Sequence, residues 1–177
     1  MVWSARTKTQ MKSDMGGPHR MAAGAGALLL FSPASLGNRP SPGNALHLLF
    51  GRLWLPDPSV GWALFGLAAL GFAFCWWARL HLGRLWSGFV TLKEGHHIVD
   101  TGPYGLVRHP IYSGVIFAGL ATALMRASPA AFLGVALLAV GFSMTARIEE
   151  GFLRSQLGED AYDDYGRRVG MLLPRLG

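Results

Sequence analysis

Cysteine is almost absent: Cys75 stands alone among 177 residues, which excludes an intrachain disulfide and any cysteine-built metal site. Set in an apolar run, it reads as a small residue facing lipid or another helix. Charge is scarce too, at 15% of residues against 51% hydrophobic, a balance that excludes the polar surface of an ordinary soluble domain. The charge present is lopsided, with 16 Lys and Arg against 10 Asp and Glu. These basic residues sit at the ends of apolar segments and form no dense stripe, so the pattern argues against a nucleic-acid groove and for anionic lipid headgroups. No H-x-x-x-H pair occurs among the histidines. A zinc site from His96, His97 and His109 is the remaining metal option, but adjacent histidines in a short loop are poor co-ligands, and no metal is expected.

What is there is a series of apolar segments without internal repeats or low-complexity tracts. Residues 1–58 read as an N-terminal region and 59–177 as a membrane domain. Met21 to Leu36 is short and broken by Pro33; it resembles a signal peptide superficially, but the apolar segments after it favour a short or re-entrant membrane segment. The small residues Gly24-Ala25-Gly26 suit a helix contact better than a cofactor loop, since no strand pattern precedes them. Residues 37–59, rich in Pro, Gly and Asn, read as a loop or interfacial stretch. Val60 to Leu80 is the clearest spanning segment, uncharged until Arg79, and Trp76, Trp77 and Trp86 beside Arg79, His81 and Arg84 give it a cytoplasmic-looking border. Spans at 111–125 and 127–146 form a hairpin turned at Arg126-Ala127-Ser128-Pro129, with Arg126 as a snorkelling residue at the far interface and the only arginine there. This topology puts a loop at 87–110 and a tail at 147–177 on the cytoplasmic side, most simply of an inner or plasma membrane.

Between the spans lies a polar stretch, Gly95 to Gly114, centred on Arg108-His109-Pro110. Gly102-Pro103 and Gly105 make turns, and Pro110 suits the first turn of a helix, which leaves Arg108 and His109 just ahead of it. Arg108 has the planar fork that grips a carboxylate or phosphate. At the hairpin's end, Arg147-Ile148-Glu149-Glu150 stops the apolar run and brings two carboxylates to the boundary. Successive helix residues are about 100° apart, so one carboxylate is expected to face inward toward a cationic ligand group and the other to face water or an arginine. In the tail, Gly158 closes a turn, Asp160 is placed to cap the next helix, and Tyr162, Tyr165 and Val169 share one face that must pack, with the polar stretch as nearest surface. Asp163 with Arg167 and Asp164 with Arg168 are i, i+4 pairs, and Leu172-Leu173-Pro174 reads as an apolar clasp. Residue by residue, each of these features also suits a membrane-surface loop, a charged helix end or a non-catalytic scaffold.

Taken in order, the segment from Gly95-His96 through Ile98-Val99, Gly102-Pro103-Tyr104, Arg108-His109-Pro110, Tyr112 and Gly114, then the apolar hairpin, Glu149-Glu150, and Gly158, Tyr162, Tyr165, Val169 and Pro174, resembles the isoprenylcysteine carboxyl methyltransferase family and its bacterial relatives over roughly residues 60–177. Residues before 58 do not match clearly. The resemblance implies an all-α, polytopic integral membrane bundle whose donor pocket is closed by a C-terminal helical tail. It implies S-adenosyl-L-methionine as methyl donor and a lipophilic or lipidated small-molecule acceptor. By matching position, His96, Val99, Gly102, Tyr104, His109 and Tyr112 would line the donor site, with Glu149 or Glu150 at its polar end. Arg108 would orient the acceptor, and Glu150 would stand with it in the catalytic set. Carboxyl O-methylation is the leading expectation, with amine or thiol methylation in the same superfamily as the alternative.

Overall fold

The computed structural model describes residues 17–32, 45–83 and 98–175. They form seven helices: α1 (Pro18–Leu30), α2 (Ala45–Phe50), α3 (Pro58–Leu82), α4 (Pro103–Leu106), α5 (Pro110–Arg126), α6 (Pro129–Leu157) and α7 (Glu159–Arg168). Proline opens α1, α3, α4, α5 and α6, because its missing N–H costs nothing in a first turn and its fixed φ already suits the helix. Asp57 caps α3 by accepting from Ser59 N–H at 2.9 Å, and Ser128 caps α6 by accepting from Ala131 N–H at 3.3 Å. The hairpin turn between α5 and α6 falls where expected, with Ala127 in the left-handed region at φ 52°.

Among the described residues, two helices, α3 and α6, are long and apolar enough to cross a membrane. At 17 residues α5 reaches about 26 Å, short of the roughly 30 Å hydrocarbon core, and the 13 residues of α1 reach about 20 Å. Only 6% of α3's apolar window is buried inside the protein, against 39% of α6's, so α3 is an edge helix that packs on α5 while α6 lies between α5 and α1.

Close packing rests on small residues. A Cβ on Gly71 would lie 2.8 Å from the Gly114 carbonyl oxygen, and one on Gly26 would lie 2.5 Å from that of Gly134. The backbones of α3 and α5, and of α1 and α6, therefore touch with nothing between them, the mode of association expected where lipid removes the hydrophobic drive between helices. Of the Gly24-Ala25-Gly26 triplet, Gly26 serves the helix contact, while Gly24 and Ala25 are exposed. Cys75 faces α5 and donates to the Ile111 carbonyl at 3.3 Å.

Three features go beyond the sequence reading. First, the helix that carries the span 127–146 runs unbroken to Leu157, because an i to i−4 ladder needs only backbone and the change from apolar to charged side chains does not interrupt it. Glu149 and Glu150 are therefore mid-helix residues. Second, Arg126 does more than snorkel: its guanidinium donates to the Ser32 carbonyl and pins the end of α1. Third, it has company at that end, where Arg52 donates to the Met125 carbonyl at 2.8 Å and Leu53 N–H to that of Ala127 at 2.6 Å. The segment around α2 is thereby tied to the hairpin turn.

Gly134→Ala is expected to destabilise the protein by about 1–3 kcal/mol, since its methyl has only α1 backbone to displace. Gly61→Ala in α3, whose methyl would meet nothing within 4 Å, is expected to be neutral or to stabilise by up to about 1 kcal/mol. Thermal unfolding in detergent compares the two.

Candidate functional site

The end of the bundle where α3 finishes and α5 begins carries the polar chemistry. Residues 98–100, outside any helix, lead into Gly102, whose φ of 56° makes the turn that starts α4. This left-handed conformation suits glycine, and a Cβ there would also lie 2.7 Å from the His81 ring. The His81 ring shares a hydrogen bond with the Thr101 hydroxyl at 3.0 Å and stacks beside Tyr104 at 6.4 Å. The end of α3 is thereby joined to the turn.

Arg108 and His109 follow, and both meet the acidic pair of α6. The Arg108 guanidinium donates from Nε to Glu150 Oε1 at 2.7 Å and from Nη2 to Oε2 at 3.0 Å, a bidentate pair with both side chains mostly buried. Its Nη1 donates to the Gly166 carbonyl at 3.0 Å and to that of Val169. Four of the five guanidinium N–H donors are thus used. The His109 ring lies between the carboxylates, with Nε2 at 3.1 Å from Glu150 Oε1 and Nδ1 at 3.4 Å from Glu149 Oε2. Tyr112 donates its hydroxyl to Glu149 Oε1 at 2.7 Å, stacks on His109 at 5.5 Å and on Phe142 at 4.8 Å.

Both carboxylates therefore face the cluster, which corrects the expectation that only one does. A 100° step separates their Cα directions, but long side chains and two partners placed side by side at 108 and 109 let Glu149 and Glu150 converge.

The tail closes over this cluster mainly through its backbone. Residues 107–109 and 170–171 run parallel, with an isolated bridge between Val107 and Gly170. Arg108 N–H donates to the Gly170 carbonyl at 2.8 Å, His109 N–H to Met171 at 3.1 Å, and Ser113 Oγ to Leu172 at 2.7 Å. The expected apolar clasp is thus made of carbonyl groups, and Leu173 is 79% exposed. Tyr162, Tyr165 and Val169 are buried together against Ile98 and Leu153, and Tyr165 donates to the Tyr104 carbonyl at 2.7 Å. The tyrosine face packs on the polar stretch as its pattern suggests.

Two surface details differ from the sequence reading. Gly158, not Asp160, is the N-cap of α7. Asp163 pairs with Arg154 of α6 at 2.8 Å rather than with Arg167, because α6 continues far enough to bring that arginine alongside. Asp164 keeps Arg168 at 3.1 Å, and Arg168 also reaches Asp100 at 3.2 Å.

Burial disfavours charge on Arg108 and His109, but the hydrogen bonds and proximity of the carboxylates outweigh it and raise both groups above their ordinary values. The Tyr104 phenol is pushed up to about 12 by burial and by Glu149, with Arg79 opposing. Neither ring nitrogen of His109 is free, since each faces a carboxylate oxygen.

Of the residues expected at the site, Tyr104, Arg108, His109, Tyr112, Glu149 and Glu150 come together, Gly102 makes the turn below them, and Val99 is half-buried beside it. His96 and His97 lie outside the described residues. The sequence reading missed His81, Phe142 and the Gly166 and Val169 carbonyls. A histidine in the last turn of α3 was the one available signal for the first; backbone acceptors leave none.

The folded value for His109 lies above its ordinary 6.5, so its ion pairs contribute fully below pH 6.5 and are lost as pH rises through the folded value. The thermal midpoint is expected to fall as pH increases above 6.5, with a shallower fall in His109→Gln. A midpoint that rises over that range would contradict the cluster as described.

Residues 64–154 match the model of the isoprenylcysteine carboxyl methyltransferase (ICMT) family. A nickel-cobalt-cadmium resistance protein of Alcaligenes xylosoxydans xylosoxydans is 30% identical over 74% of this chain and 59% of its own length. Methanethiol S-methyltransferase 2 of Bradyrhizobium diazoefficiens is 31% identical over 74% of this chain and 56% of its own. The solved structure of a eukaryotic intramembrane Ras methyltransferase, isoprenylcysteine carboxyl methyltransferase, superposes with a TM-score of 0.58 at 21% identity, covering 92% of this chain and 54% of that one. The chain thus spans less than two thirds of the length of these relatives, and the structural likeness establishes a shared helical membrane fold.

Proposed function

This chain belongs to the isoprenylcysteine carboxyl methyltransferase family, and we propose that it is an S-adenosyl-L-methionine-dependent methyltransferase that methylates a lipophilic acceptor carrying a carboxylate. When bound, the donor supplies a methyl group on a sulfonium that loses its positive charge as the methyl leaves. The side chains suit such a donor: Glu149 keeps 25% of its side chain exposed beside the stacked Tyr112 ring and near Tyr104, offering an anion and aromatic faces to a cationic, aromatic molecule. Val99 and Gly102 would line the same pocket, as would His96.

One observation carries the choice of acceptor. His109 is held between Glu149 and Glu150 with both ring nitrogens engaged and its charged form favoured, so it is not a free general base at neutral pH. Tyr104, raised to about 12, is no better. An acceptor that arrives already ionised needs neither, and a carboxylate is such an acceptor. The protein's part is then to bind, align and exclude water. In this reading Arg108 is a positioning residue, which fixes Glu150 and the tail. Its remaining N–H orients the acceptor carboxylate.

The second reading is a thiol acceptor, favoured by the relative named as a methanethiol S-methyltransferase. A thiol must ionise first, so the two readings separate by pH. With labelled donor, a carboxylate acceptor is expected to react at a rate nearly flat from about pH 6 to 8, whereas a thiol of pKa about 8.5 is expected to gain close to tenfold per unit. Glu149→Gln is expected to weaken donor binding at least about tenfold by calorimetry, the effect of removing a charged partner. Absence of any donor binding to the unaltered protein would favour a non-catalytic scaffold.

The arginines support an orientation. Most described arginines lie at the site end, with Arg52 and Arg126 opposite, which favours a cytoplasmic site in an inner or plasma membrane. Attaching a topology reporter to residue 175 and to residue 52 tests it.

A further inference from the structure

One cleft borders the Arg108–Glu150 pair but is otherwise lined by residues with no role in the proposed transfer. This open cleft of about 420 Å³ lies between the last turns of α6 and α7, with Arg154, Arg167, Arg175, Tyr162 and Asp163 around it and the Arg108–Glu150 pair in its wall. Charge within it is uneven. Glu150 matches Arg108 and Asp163 matches Arg154, which leaves Arg167 and Arg175 as excess cations. Arg167 also touches Asp164 at 3.3 Å, but that pair is exposed and Asp164 is shared with Arg168, so it neutralises little. The Arg175 guanidinium donates to the Arg167 main-chain carbonyl, which sets both cations on one wall.

Two glycines keep the cleft open. Gly151 of α6 and Gly166 of α7 both line it, although glycine is the least favourable residue after proline in a helix interior. A Cβ on Gly166 would lie 3.4 Å from Arg108 Nη1, and one on Gly151 would meet nothing within 4 Å. Side chains at either position would project into this space. Height matters as well. Arg147 is the first charge after α6's apolar run, and Gly151 lies roughly 6 Å beyond it at about 1.5 Å per residue. The headgroup layer on each side of the hydrocarbon is itself roughly 5–8 Å thick.

We propose that this cleft takes the phosphodiester of an anionic membrane lipid, held by Arg167 and Arg175, and that its occupation keeps α7 docked on α6. The shared chemistry is a phosphate oxygen anion facing a pair of guanidinium forks, and the headgroup depth selects the lipid over free phosphate. Because α7 supplies the Gly166 and Val169 carbonyls to Arg108, lipid bound here steadies the polar cluster from outside. The proposal rests on the membrane reading of α3 and α6, not on methyl transfer.

The test uses the full chain in nanodiscs of phosphatidylcholine, with and without phosphatidylglycerol, and reads amide hydrogen exchange over residues 159–170. Phosphatidylglycerol is expected to slow exchange by about tenfold, as lipid attraction at two arginines and its linkage to docking would give. In R167Q/R175Q this protection is expected to vanish while exchange in pure phosphatidylcholine stays as in the unaltered chain. R147Q, which removes a charge near the same height outside the cleft, is expected to keep the protection. The proposal is overturned if phosphatidylglycerol changes nothing, if its effect survives R167Q/R175Q, if R147Q abolishes it equally, or if inorganic phosphate in pure phosphatidylcholine reproduces it in full.

Discussion

The structure depends on the pairing of Arg108 with Glu150. It is bidentate and mostly buried, and it joins three parts of the chain: the segment ahead of α5, the middle of α6, and the tail carbonyls of Gly166 and Val169. A buried charge left alone is costly, so removing either partner is far worse than never having the pair. The tail has little else to hold it in place beyond its tyrosine face, its backbone bonds and a few exposed ion pairs.

From this pairing the character of the site follows. Glu150 is pinned by Arg108, which fixes one flank of His109, and Glu149, held by Tyr112, fixes the other. The imidazole becomes part of a hydrogen-bonded network, engaged at both ring nitrogens. Such a network is preorganised, the property the proposed methyl transfer would use most. It also ties Glu149 and Tyr112 to the tail through His109 and the Arg108–Glu150 pair.

Much of this was legible in the residues. The apolar run of α3, the Ser128-Pro129 start of α6, the Pro110 start of α5 and the tyrosine face of α7 each carry a local signal, and each forms where that signal lies. The constellation from Gly102 to Tyr112 and the acidic pair likewise converge. What escaped was of another kind. The continuation of α6 past Ala146 is hidden by a change in side-chain polarity that the backbone ladder ignores. Gly26 reads as a helix contact, but which helix it meets depends on register, which no single segment encodes. Partners of Arg108 such as the Gly166 carbonyl are invisible because every residue has a carbonyl. Asp163 meets Arg154 instead of Arg167 because α6 continues past its apolar run and brings that arginine alongside.

The central claim is that Arg108 and Glu150 act as one unit to close the tail over the site. A double-mutant cycle of Arg108→Met and Glu150→Gln, read as unfolding free energy in detergent, tests it most directly. The account predicts that each single change is costly and that the two together cost little more than either alone, a coupling of about 2 kcal/mol or more. Additive single effects would contradict it, since they would mean that the two residues support the fold independently.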